Sequence, residues 1–183
     1  MIRRRVLLAG FAAAGLRARH ARAQPPAEGF RVMAREKSLA QQFMDLLNEF
    51  GRKDMAQYAK GVVLYAGAKA EFDGLISALE HELGRPEPPD KAAAFQAALA
   101  QAVEKRVAFT DFVSSVVLPQ DSGTTKGVGS FIQLVPELIT ALTNAGVSIW
   151  REFHAGGEAR RRAIREELEA LRWPAFRAAG LAR

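Results

Sequence analysis

Apolar residues along this chain recur at intervals of three and four for most of its length, with polar residues between them. That period turns one face of an α-helix toward a core, and no run of strict two-residue alternation competes with it. Ser38-Leu39-Ala40-Gln41 has the form of a capping box, and Leu39, Phe43, Leu46 and Phe50 follow at helical spacing to a stop at Gly51. Asp54 is placed to cap a longer second helix reaching Leu83, with Met55, Tyr58, Val62, Tyr65, Phe72, Ile76, Leu79 and Leu83 facing inward. The stretch Gly84 to Asp90, GRPEPPD, is the strongest break in the chain. Asp90 then opens a third helix that runs to about Leu118 and stops at Pro119. After a Gly-, Thr- and Ser-bearing loop, a fourth helix carries Ile132, Val135, Ile139, Leu142, Gly146, Ile149 and Phe153. Pro136 sits in its first turn or kinks it. A shorter fifth helix, Glu158 to Arg172, buries Ile164, Leu168 and Leu171 before Trp173-Pro174 ends it.

This pattern predicts an all-α fold, an antiparallel helical bundle of four main helices plus a shorter accessory helix. Residues 36–176 form its single domain, 24–35 a flexible Pro- and Gly-bearing lead-in, and 177–183 a C-terminal tail. The short break and matched lengths make residues 54–118 a hairpin in which opposing residue numbers sum to about 174. Ala66, Ala70, Gly74 and Ala78 recur every four residues, and mid-helix Gly74 costs about 1 kcal/mol of helix propensity. Close approach of another helix is the expected reason.

Residues 1–23 follow a different pattern. Arg3, Arg4 and Arg5 precede an apolar run, Val6 to Leu16, about half the roughly 20 residues a transmembrane helix needs. Ala21-Arg22-Ala23 supplies the small-x-small signature of a signal peptidase site. The Arg3-Arg4 pair, the glycine-diluted apolar run and the arginines after it resemble a twin-arginine export signal. The expected location is therefore the periplasm, as a soluble protein.

Cleavage changes the charge. The chain has 26 Lys+Arg against 20 Asp+Glu, net +6, but six of those arginines and none of the acids lie in residues 1–23. The remainder is formally neutral, which removes the case for a nucleic-acid partner. The absence of cysteine excludes a disulfide framework, a bacterial lipid anchor on Cys and covalent c-type haem. Stability must come from an apolar core, and about 160 residues suffice for one.

Candidate chemistry is sparse. Beyond residue 23 only His81 and His154 remain, and no Glu-x-x-His pair of the di-metal bundle kind is present. Glu80, His81 and Glu82 are consecutive on a helix and point in different directions. His154 is expected near a helix end, bonded to free carbonyls. GTTKGVGS, Gly123 to Ser130, has the wrong order for a Walker A loop, and Ser130 with Gln133 reads as a capping box. No Gly-x-Ser-x-Gly occurs. In the hairpin register, Lys69, Glu71, Glu104, Arg106 and Asp111 share a polar band. Lys69 and Arg106 occupy seam positions there, either as cationic anchors for an anionic or amphipathic ligand or, as the favoured reading, with their stems packed and their heads in water paired with Glu71, Glu104 or Asp111.

Glu158–Arg162, Arg162–Glu166 and Arg165–Glu169 have the spacing of a solvated ion-pair ladder. Trp150, Phe153, Trp173 and Phe176 are expected to close one end of the bundle. The fourth helix carries only Glu137 between Lys126 and Arg151, and a central bundle position accounts for its low charge. The function expected is non-catalytic, through ligand binding or protein contact, with no cofactor and no stable transmembrane anchor after cleavage. A cofactor- or metal-carrying bundle for electron transfer or storage is the alternative.

Overall fold

The structure, a computed structural model, describes residues 27–50, 54–116 and 135–176. Among the described residues there are five α-helices, one 3-10 turn and no strand. Helix α1 spans Glu28–Phe50, α2 Met55–Glu82, α3 Ala93–Val116, α4 Val135–Ala155 and α5 Glu158–Ala170, and the 3-10 turn is Pro89–Lys91. The fold is all-α, as the periodicity predicts, and α5 with 13 residues is the shortest of the α-helices.

The buried positions show why these segments are helices. On α2, Tyr58, Gly61, Tyr65, Ala68, Phe72, Leu75, Leu79 and Glu82 are buried, alternating three and four residues apart. Such spacing keeps one stripe facing a partner along the whole helix. Helix α3 repeats it with Phe95, Leu99, Ala102, Arg106, Phe109 and Val113. The two helices meet along these stripes. The Tyr65 and Phe109 rings lie 5.6 Å apart, and Gly61 sits against Phe112 of α3 and Leu47 of α1. Phe43 of α1 reaches the same Phe109 ring at 5.2 Å. Leu142, Ile149 and Phe153 of α4 and Ile164 and Leu168 of α5 join that core. Each such side chain contributes roughly 1.5–3 kcal/mol by leaving water.

Several boundaries differ from expectation, each for a physical reason. The stretch 24–35 is not an irregular lead-in where it is described, because α1 begins at Glu28 and buries Phe30 and Met33. Ser38 is therefore an exposed mid-helix residue, and its capping box does not open a helix. Asp54 does cap α2, its Oδ1 accepting from the backbone N–H of Ala56 at 3.0 Å and of Gln57 at 3.1 Å. Asp90 instead lies inside the 3-10 turn, and α3 starts at Ala93. Pro136 falls in the first turn of α4, where its missing N–H costs nothing. Met55 is 57 % exposed rather than inward.

The small-residue row behaves differently from its reading. Ala66, Ala70 and Gly74 are exposed, and a Cβ on Gly74 would meet nothing within 4 Å. Close approach occurs elsewhere. A Cβ on Gly29 would lie 2.6 Å from the Ala145 carbonyl oxygen, and one on Gly146 2.8 Å from the Phe95 ring. Among the described residues no helix is long and apolar enough to cross a membrane.

Candidate functional site

The polar band expected halfway along the hairpin divides in two. Arg106 occupies the seam of α3 and is 7 % exposed. Its Nε lies 2.6 Å from Oε2 of Glu36, a residue of α1 that is 4 % exposed. Burial pushes the Glu36 carboxyl above its usual range, against the opposing pull of the Arg106 and Arg35 guanidiniums. A cavity of about 210 Å3 adjoins the pair, lined also by Arg35 of α1 and by Glu137 and Leu138 of α4. Spacing had assigned Arg106 to the seam correctly. Glu36 was missed because the capping-box reading began the helix two residues after it. The signal was available in Phe30, Met33, Ala40 and Phe43, whose spacing runs straight through position 36.

Lys69 lies elsewhere. It stands beside the seam of α2 and forms an ion pair one turn along its own helix with Asp73, both side chains being half-buried. Lys69 and Arg106 thus line different cavities and engage different carboxylates. Glu71 is half-buried on α2, Asp111 is exposed, and exposed Glu104 pairs with Lys105 at 3.7 Å. These residues do not converge on one pocket.

Around Lys69 the structure builds a groove of about 660 Å3. Its floor is the outward face of α2, Val62, Ala66 and Ala70, and Ala175 and Phe176 form the opposite wall. The sequence Arg172-Trp173-Pro174-Ala175-Phe176 is laid along α2 as a strap. Arg172 reaches Glu80 at 3.1 Å and donates to the Asp73 carbonyl at 2.9 Å. The Trp173 backbone N–H donates to Asp73 Oδ1 at 3.1 Å, and the Tyr65 hydroxyl donates to the Pro174 carbonyl at 2.8 Å. Burial, and then the charge of Asp73, push the Tyr65 phenol well above its ordinary value, so it stays a donor. Trp173 stacks on Phe72 with ring centroids 5.2 Å apart, and Phe176 meets Tyr58 at 5.8 Å and Tyr65 at 5.9 Å.

Tyr58, 7 % exposed, also lines the groove, and its hydroxyl has no hydrogen-bond partner among the described residues. The buried indole N–H of Trp173 is in the same condition. Buried polar atoms without partners are uncommon in native folds and mark places where water or a ligand completes the bonding.

The aromatic cluster expected at one end is two clusters. Trp173 and Phe176 belong to the strap, while Trp150 and Phe153 surround His154, with centroids 4.3 and 5.8 Å from its ring. His154 does bond a helix-end carbonyl, Leu83 at 3.0 Å, but at the end of α2 rather than of its own helix. Glu80 turns to Arg172, Glu82 is buried beside Arg85, and His81 is exposed. Among the described residues no group of three or more His, Cys, Asp or Glu is arranged to hold a metal ion.

The ion-pair ladder on α5 does not form. Arg160 instead bridges Glu152 of α4 and Glu167, and Glu169 pairs with Arg172. Arg3, Arg4, Ala21 and Ala23 of the export signal, and the GTTKGVGS loop, lie outside the described residues. No protein-family model matches this chain, and no curated protein and no solved structure shows significant similarity to it.

Proposed function

We propose that this chain is an exported, non-catalytic binding protein that holds a small amphipathic molecule in the groove between α2 and the strap. The observation that carries the reading is the groove itself. Its volume of about 660 Å3 lies in the range of small-molecule sites, and its walls are Val62, Ala66, Ala70 and Phe176. Its polar groups are few and placed to orient. The Lys69–Asp73 pair offers both a donor and an acceptor to a polar head, and the unpartnered Tyr58 hydroxyl offers one more contact.

These groups suit holding rather than turnover. Lys69 is already engaged with Asp73, which is itself tied to the Trp173 backbone, and the Tyr65 phenol is held as a donor. The Tyr65 phenol, pushed above its ordinary value by burial, keeps its proton near neutral pH.

Binding is tested with a fluorescent amphiphile, an anthroyloxy fatty acid, titrated into the full chain. Saturable binding is expected, and Ala70→Phe, which fills the groove from an exposed position, is expected to weaken it by about tenfold or more. Equal affinity in that variant, or no saturation in the parent, would refute the reading. Stoichiometric metal or a Soret band in protein from its own compartment would replace it with a carrier function. Export is tested by amino-terminal sequencing. A mature end at Gln24 in the periplasmic fraction is expected, and an uncleaved chain retained in the cytosol contradicts it.

A further inference from the structure

The corner where α5 follows α4 carries a second cleft, of about 470 Å3, with lining distinct from that of the groove along α2. Its walls present Arg161, Arg162 and Arg165 of α5, His154 and the Phe153 ring of α4, and one carboxylate, Glu158. The arginines are neighbours on one helix surface. Arg161 and Arg165 are four residues apart and Arg162 and Arg165 three, spacings at which like charges oppose each other.

The fold does not neutralise them. No carboxylate among the described residues forms an ion pair with any of the three; Glu167 is engaged by Arg160 and Glu169 by Arg172. The Phe153 ring holds two of them in place instead, with the guanidinium carbons of Arg161 and Arg165 at 5.6 and 5.3 Å from its centroid. Arg161 Nε also donates to the Phe153 carbonyl at 3.1 Å. His154 is fixed by its Nε2, 3.0 Å from the Leu83 carbonyl, and since a carbonyl only accepts, that nitrogen carries the proton.

Positioned guanidiniums that lack a carboxylate and face an open cleft are pre-organised for a tetrahedral oxyanion. Their planar forks make paired N–H···O bonds to phosphate oxygens, which a flexible ammonium cannot. We propose that this corner binds a phosphate group, carried either by a soluble phosphate ester or by the headgroup of an anionic phospholipid. Arg161, Arg162 and Arg165 supply the charge. Glu158 sits at the same cleft and limits how much negative charge it accepts.

The test is titration of the full chain with inorganic phosphate at constant ionic strength, read on the arginine Nε–H signals by NMR. Saturating shifts are expected at Arg161, Arg162 and Arg165. The double variant Arg162→Gln/Arg165→Gln changes two exposed side chains, so it keeps the fold, and is expected to bind about tenfold more weakly. Arg31→Gln, an exposed arginine on α1, is expected to bind as the parent does.

Sedimentation with vesicles then separates the two sources. Selective binding to phosphatidylglycerol over phosphatidylcholine, lost in the double variant, identifies the lipid headgroup. Phosphate binding without vesicle selectivity identifies a soluble ester. Shifts that do not saturate, or an equal loss in Arg31→Gln, overturn the site.

Discussion

Glu36 and Arg106 form an ion pair at 2.6 Å in which both residues are withdrawn from water. Desolvating two charges is expensive, and removing one of them leaves the other unpaired in a poor dielectric. Arg106→Leu is therefore expected to cost about 3–5 kcal/mol in urea denaturation, whereas Glu36→Leu/Arg106→Leu returns close to the parent. Simple additivity of the single changes would contradict the pairing.

The same pair sets a pH dependence. Burial raises the folded Glu36 carboxyl above the 4.5 of its ordinary state, against Arg106 and Arg35, with Glu137 lining the same cavity. Between 4.5 and that raised value the folded state keeps a proton that the unfolded chain has released. Stability from this group is greatest below the window and falls as pH rises through it. Urea midpoints of the parent should therefore fall relative to Glu36→Gln as pH rises across that interval. A difference that is flat or grows would contradict it.

At the scale of the elements, glycines separate what is packed from what is open. Gly29 faces the Ala145 backbone, which cannot move aside, so Gly29→Ala is expected to destabilise by about 1–3 kcal/mol. Gly74 has open space and sits mid-helix, so Gly74→Ala is expected to stabilise by about 0.5–1 kcal/mol. Thermal melts of the two variants check both signs. The four-residue recurrence of Ala66, Ala70, Gly74 and Ala78 predicts the opposite for Gly74, although a regular row of small residues says nothing about which side of the helix it faces.

Helix type and most inward faces were legible, because Tyr58, Tyr65, Phe72 and Leu79 repeat with a period that only a helix satisfies. The start of α1 was not. The local capping signal at Ser38 competes with the spacing of Phe30, Met33, Ala40 and Phe43, and the structure follows the spacing, starting α1 at Glu28. Charge partners on α5 were equally hidden. Arg160 is drawn to Glu152 across the helix junction, a tertiary contact that spacing within one helix cannot anticipate.

For the molecule as a whole, the strap decides which surface of α2 is a wall and which is solvent. Trp173 and Phe176 read in sequence as part of an aromatic cluster closing one end of the bundle, yet they cover Phe72, Tyr65 and Tyr58. Trp173→Ala is expected to lower stability by about 3–5 kcal/mol and to abolish amphiphile binding together with it. Lys69→Ala is expected to weaken binding while leaving the melting curve nearly unchanged, since Lys69 is half-buried and paired at the groove. The most direct test of the binding account is photolabelling of the full chain with a diazirine-bearing fatty acid, mapped by peptide mass spectrometry. The account predicts label concentrated in residues 58–73 and 173–176, displaced by unlabelled fatty acid. Label spread evenly over the five helices, or unaffected by competitor, would contradict it.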